Sequence, residues 1–204
     1  MREFTRAILI FATMTVLLGL AYPFAMTGVS QLLFPQKANG SIIVLDKRVV
    51  GSSLIGQNFT GPKYFHGRPS ALEKPYDAGN SGGTNFGPSN AKFLDEVGKR
   101  VEKVRKENIL DPGMPVPADL VLASASGLDP HISVETAILQ VPRIAKARGL
   151  QETEVQDALQ RSAEGPLFGF FGGKRINVLR LNISLDELSR RKGQAIVFES
   201  ERRG

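Results

Sequence analysis

The chain has 204 residues, a formal charge of +6 and no cysteine. The missing cysteine excludes disulfides and thiolate chemistry, and it leaves an extracytoplasmic location allowed but not required. The basic excess is modest, and no Lys/Arg stripe is interleaved with aromatics, so it points to solubility or an anionic membrane surface rather than to nucleic acid.

Residues 1–6 form a short flank carrying Arg2, Glu3 and Arg6. Residues 7–34 then run for 28 positions without a charged side chain. A helix rises about 1.5 Å per residue, so this run reaches roughly 42 Å, against a hydrocarbon core of about 30 Å. It predicts a transmembrane helix. Gly19-Leu20-Ala21 has the small-x-small look of a signal-peptide cleavage site. The apolar run continues past it to Leu32-Leu33-Phe34, which a cleaved leader does not need, so a retained anchor is expected. Pro23 should kink or divide the helix, and Pro35 should stop it. Thr15/Gly19 and Ala21/Ala25 are small-xxx-small pairs, which let a second helix approach closely. Arg2 and Arg6 favour a cytoplasmic N-terminus, with the domain at residues 35–188 outside.

Beyond the anchor, Ile- and Val-rich segments at 41–45 and 48–54 flank Asp46-Lys47 and predict a hairpin. Residues 56–90 hold seven Gly and four Pro and show no sustained period. With Phe59, Tyr64, Phe65, Tyr76 and Phe86 among them, they read as an ordered loop pinned by aromatics. Ser89 should cap a helix to about 108, with Phe93, Val97, Val101 and Val104 inward. Residues 119–123 read as a short strand. Asp129-Pro130 or Ser133 starts the next helix, whose Val134, Ala137, Ile138, Val141, Ile144 and Ala145 share a face. Pro142 should kink or restart it and Gly149 end it. A Thr153–Gln156 capping box opens another helix, to about 163. Residues 167–173 form an apolar glycine-rich loop, and 175–183 alternate as a strand. A second capping box at Ser184 and Glu187 precedes a short last helix. Residues 189–204 read as a basic tail. The irregular interspersion predicts an α+β domain with a small mixed sheet and several helices behind one transmembrane helix.

Little in the chain carries chemistry. Gly169 to Arg175 fails the phosphate-loop pattern: the glycine spacing is one residue short, and Arg175 stands where a hydroxyl would hold magnesium. His66 and His131 are the only histidines, and no metal-ligand spacing occurs. Ser124, Ser126, Asp129 and His131 lie close in sequence, but Ala123-Ser124-Ala125-Ser126-Gly127 is not a nucleophile elbow, and Asp129-Pro130 is more simply a helix start. No catalytic residue, metal ligand or directly bound cofactor is therefore expected. The Asn-x-Ser/Thr matches at Asn39, Asn58 and Asn182 are of the kind that arises by chance. Aromatics and Arg outside periodic segments mark partner-binding candidates: Tyr64, Phe65 and Arg68, and Phe168, Phe170 and Phe171.

Ordered segments along the chain resemble a known family. They include Leu33-Phe34-Pro35 with Ala38-Asn39-Gly40-Ser41, Gly51-Ser52-Ser53-Leu54-Ile55-Gly56-Gln57, and Tyr64-Phe65-His66-Gly67-Arg68-Pro69-Ser70. Ser81-Gly82-Gly83-Thr84-Asn85 follows, then the longest segment, Ala123 through Ser133. Gln140-Val141-Pro142-Arg143, Ala145-Lys146-Ala147-Arg148-Gly149 and Arg175-Ile176-Asn177-Val178-Leu179 close the set. Over residues 5–187 the chain resembles the C subunit (KdpC) of the Kdp-type potassium-transporting ATPase.

The resemblance implies a single-span accessory subunit in a bacterial plasma-membrane complex. A channel-like subunit of that complex binds and passes potassium, and a P-type subunit hydrolyses ATP with magnesium. The C subunit assembles or stabilises the two, and it is described as a catalytic chaperone raising the pump's affinity for ATP. Asp129, Pro130, His131, Arg143 and Arg148, which lie in the matching segments, are expected to be structural. Two other function classes remain: an independent membrane-anchored periplasmic enzyme centred on Asp129 and His131, and a cytosol-facing nucleotide-binding regulator.

Overall fold

The structure, a computed structural model, describes residues 1–166 and 168–203, the last eleven as backbone only. The side-chain chemistry of the basic tail beyond Lys192 therefore lies outside the described residues. The chain divides into two compact units, Met1–Ser52 and Ser53–Gly204.

The first unit begins with helix α1 (Arg2–Val16), a π-helical turn (Leu17–Ala21) and α2 (Tyr22–Leu33), which run on as one apolar helix of 32 residues with no buried side chain in its most apolar window. Its length and composition suffice to cross a membrane. The π turn answers the expectation of a break at Pro23. Proline has no N–H, and its ring crowds the carbonyl one turn back. Here the preceding turn widens instead, and the Tyr22 N–H reaches back five residues to Leu17 O. The helix is thus continuous rather than divided. Phe34 leaves helical geometry, and Pro35 opens a short helix α3 (Pro35–Ala38). Strands β1 (Ile42–Leu45) and β2 (Arg48–Ser52) pair antiparallel as predicted. Asp46 and Lys47 both take positive φ, the geometry a two-residue hairpin needs to match strand twist.

In the second unit, residues 53–90 contain no helix or strand. Helix α4 (Ala91–Asn108) follows, capped by Asn90, whose side chain accepts from Phe93 N at 3.1 Å; the cap sits one residue later than Ser89. Residues 119–123 are not a strand. Ala118–Leu120 turns as a 3-10 helix, and Asp119 instead accepts from Ser133 N and the Thr136 hydroxyl. Strand β3 (His131–Ser133) leads into α5 (Val134–Arg148), which Ser133 caps and Gly149 ends in the left-handed region. Pro142 lies inside α5, which neither stops nor restarts there. Helix α6 (Glu152–Ser162) starts at Gln151, whose N–H donates to Glu154, so the Thr153 capping box is not used.

Strands β4 (Ala163–Glu164) and β5 (Arg175–Asn177) complete a three-stranded antiparallel sheet in the order β3-β5-β4. The strand expected over 175–183 stops after three residues. Asn177 Oδ1 accepts from Arg180 N and opens helix α7 (Val178–Arg203). Ser184, expected to begin a short last helix, lies within α7 and donates to Leu181 O. Val178, Leu181 and Leu185 on α7 pack with α5, α6 and the sheet around Phe65, Ile132, Val141, Ile144, Val155 and Ile176. A second, smaller cluster holds Val104, Leu120 and Val121, with Val97 and Val101 against it. Ile138 was placed on the inner face of α5 but is half exposed. The result is one apolar helix followed by a mixed α+β domain.

Candidate docking surface

The loop 57–70 is ordered by side chains that serve its backbone as a neighbouring strand would. Asn182 on α7 accepts from Phe65 N at 2.9 Å and donates to Phe65 O at 3.0 Å. Gln140 on α5 does the same for His66, at 2.8 and 3.2 Å. Arg143 donates to Pro62 O, Tyr64 O, Asn108 Oδ1 and Gln140 Oε1. Arg148 donates to Lys63 O, Ser189 and Asp186, and its guanidinium lies over the Tyr64 ring. Buried amide groups must be paired, and a loop without a ladder gets its pairs from these four residues. Arg143 and Arg148 therefore sit where a structural role places them. Asn182 is fully buried, so it offers no accessible glycosylation site. Burial, with the nearby Arg143 charge, lowers the pKa of His66, and its ring nitrogens lie 3.1 Å from Gly61 O and 3.5 Å from Glu107.

Further along, the loop zips onto residues 122–131. Gly56 N donates to Leu128 O, Ser70 Oγ to Gly127 O, and Gly82 N to Ser126 O. Arg68 donates to Asp129 Oδ2 at 3.2 Å and lies 3.4 Å from Leu122 O and Ala123 O. The Tyr76 hydroxyl donates to Arg68 O at 2.6 Å, and burial pushes its pKa up to about 12. Gly56 is required here, because a Cβ would stand 2.9 Å from Asp129 O and closer still to the Tyr76 ring.

Asp129 does not cap α5. Its Oδ1 accepts from His131 N, an Asx turn two residues long, while Ser133 holds the cap and Pro130 is buried beside it. Burial pushes the carboxyl up, but hydrogen bonds from His131 and the Arg68 and His131 charges outweigh it and leave the pKa lowered. His131 lies 3.6 Å from Asp129 and 3.7 Å from Glu164. Ser124 and Ser126 spend their hydroxyls accepting from Gly127 N and Leu128 N. These residues build a turn, and neither serine is paired to His131. Capping alone would let Asn replace Asp129. With Arg68 bound to Oδ2, Asp129→Asn should instead cost about 1–2 kcal/mol, since a hydrogen bond to a charged partner is lost. The folded carboxyl lies below its unfolded value of about 4, so its contribution is full above that pH and fades in acid. Unfolding of both proteins from pH 7 to 3 should show the gap closing, and equal stability at pH 7 would rule this out.

The remaining candidates separate into two groups. Phe65 is 0% exposed and belongs to the core, so it is not a surface anchor. Tyr64 is half-buried under Arg148, and Arg68 is turned inward onto Asp129. By contrast Phe168, Phe170 and Phe171 are 80%, 72% and 62% exposed, and the last two rings stack at 4.4 Å. Leu167, at the start of that loop, lies outside the described residues. Lys174 leads into β5, whereas a phosphate-binding loop opens a helix. Among the described residues no group of three His, Asp or Glu could hold a metal. Three clustered, exposed phenylalanines are the side chains of this domain most in need of a cover.

The KdpC family, described as the c chain of the K+-transporting ATPase, matches residues 4–187. The chain belongs to the KdpC family. A potassium-transporting ATPase KdpC subunit from Methylobacterium nodulans is 52% identical over 188 residues, covering 86% of this chain and 92% of that protein. The KdpC subunit of Caldanaerobacter subterraneus is 50% identical, with 93% and 98% covered, and that of Rhodopseudomonas palustris strain BisB5 is 46% identical, with 94% and 100% covered. The KdpC match takes in the apolar helix, the hairpin and the stapled loop together. It stops inside α7, just before the basic tail.

Proposed function

We propose that this chain is a non-catalytic accessory subunit of a potassium-uptake ATPase, anchored by its single span, with the N-terminus cytoplasmic and the domain outside. In this reading it holds the channel-like and ATP-hydrolysing subunits together. Potassium, ATP and magnesium are handled by those partners. Any rise in the pump's affinity for ATP is then transmitted through subunit contacts, not through a nucleotide held by this chain. The exposed Phe168, Phe170 and Phe171 carry the reading. Apolar clusters on a domain surface mark partner sites, and aromatics concentrate where binding energy does. The small residues Thr15, Gly19, Ala21 and Ala25 offer the span a close-packing face, and at Gly19 only the Thr15 methyl lies as near as 4.0 Å.

Phe171→Ser tests the docking loop. In the full chain in detergent the substitution should shift stability by less than about 0.5 kcal/mol, as exposed positions do. The two large subunits should then co-purify with it tenfold less well. A Phe171→Ser chain that assembles like wild type would remove the loop from the interface.

A further inference from the structure

The β1–β2 hairpin presents an apolar face that nothing in the chain's known role assigns. Ile42, Val44 and Val49 are 43%, 57% and 68% exposed, while Ile43 and Leu45 on the other face are half-buried. Val44 and Val49 are direct partners across the ladder. A two-stranded hairpin alone in water is marginal, and such sheets persist when something packs on them.

The hairpin is also fixed to the end of the span. Gln31, in the last turns of α2, exchanges two amide hydrogen bonds with Asn39, at 3.2 and 3.1 Å. Asn39 donates to Pro35 O, Ser41 N to Gln36 O, and Ser52 Oγ to Gly40 O. A protein packed on the outer turns of α2 therefore meets the hairpin as a continuation of the same surface.

Lipid is a poor cover. A two-stranded sheet has open edges, and open edges do not occur in the hydrocarbon region because their backbone groups find no partners there. Lys47 and Arg48, exposed at the turn, would add the cost of buried charge. We propose that the face formed by Ile42, Val44 and Val49 docks on an apolar protein surface of a neighbouring subunit, continuous with that subunit's contact along the span. The proposal rests on the reading of this chain as a subunit.

A photo-crosslinking amino acid placed at Val49 of the full chain, in the assembled complex, tests it. The expected product has the combined mass of this chain and one large subunit. Crosslinks only to lipid, to a second copy, within this chain, or to nothing would each overturn it. Val44→Thr with Val49→Thr keeps the strand shape and removes the apolarity. It should lower recovery of the large subunits at least tenfold, with membrane insertion and the melting temperature unchanged, and full recovery would overturn the proposal. If the unsubstituted chain recovers no large subunit, the subunit reading fails and takes the proposal with it. A complex that forms but crosslinks elsewhere overturns the hairpin contact alone.

Discussion

Phe65→Ala is expected to destabilise the domain by about 3–5 kcal/mol, the range for truncating a buried phenylalanine. Phe65 is fully buried and packs into the main cluster from an irregular segment that brings no helix or strand of its own. Its backbone is gripped at both N and O by Asn182. The substituted side chain thus leaves a cavity whose mouth cannot collapse without breaking that pair. The surrounding Ile132, Ile176 and Leu181 sit on the sheet and on α7 and are themselves fixed. Chemical unfolding of the full chain in detergent measures the change. A loss below about 1 kcal/mol, with assembly impaired, would return Phe65 to the surface role that its sequence context first suggests.

The two kinds of phenylalanine could not be told apart from sequence, for a physical reason. Burial is read from periodicity, and neither 56–90 nor 167–173 has a period to read. Phe65 and Phe171 therefore look alike until the loop's backbone partners are known. What was legible is what repeats or is locally encoded: the uncharged run, the hairpin around Asp46-Lys47, and the α5 stripe with its Gly149 stop. The strand expected over 175–183 failed because Ile176 and Val178 satisfy an alternating pattern over a few residues. The helical spacing of Val178, Leu181, Asn182 and Leu185 is the longer signal and it prevailed, with Asn177 as the cap.

The staples were missed, although a signal was present. Gln140 lies in the inner stripe of α5, and Asn182 in that of α7, each a primary amide among apolar neighbours. An amide at such a position needs partners that its own helix cannot supply. Two of them, on adjacent helices, point to a non-helical segment laid across both. Asp129 was misread for a related reason. Asp-Pro is a frequent helix start, but the side chain has two oxygens, and the distant Arg68 claimed the second.

Arg143→Lys is expected to cost about 3–5 kcal/mol, nearly as much as Arg143→Met. The guanidinium fills four acceptors: Pro62 O at 2.6 Å, Gln140 Oε1 at 2.7 Å, Asn108 Oδ1 at 2.9 Å and Tyr64 O at 3.0 Å. These lie on the loop, on α4 and on α5 itself, so one side chain ties three segments. A lysine ammonium keeps the charge but not the planar fork, and it cannot reach all four. Asn108 and Gln140 are buried, and each buried acceptor left empty costs about 1–3 kcal/mol. The damage should also spread. Gln140 Oε1 accepts from both Arg143 and His66 N, so freeing it on one side loosens its hold on the loop at His66. Loosening is readable directly, because Lys63 lies in the stapled stretch with Arg148 on its carbonyl. Brief trypsin treatment of the folded chain should leave wild type intact after Lys63 and nick Arg143→Lys there. Chemical unfolding supplies the free energy. If Arg143→Lys matches wild type in both stability and resistance at Lys63, charge alone holds the loop, and the four-acceptor account is wrong.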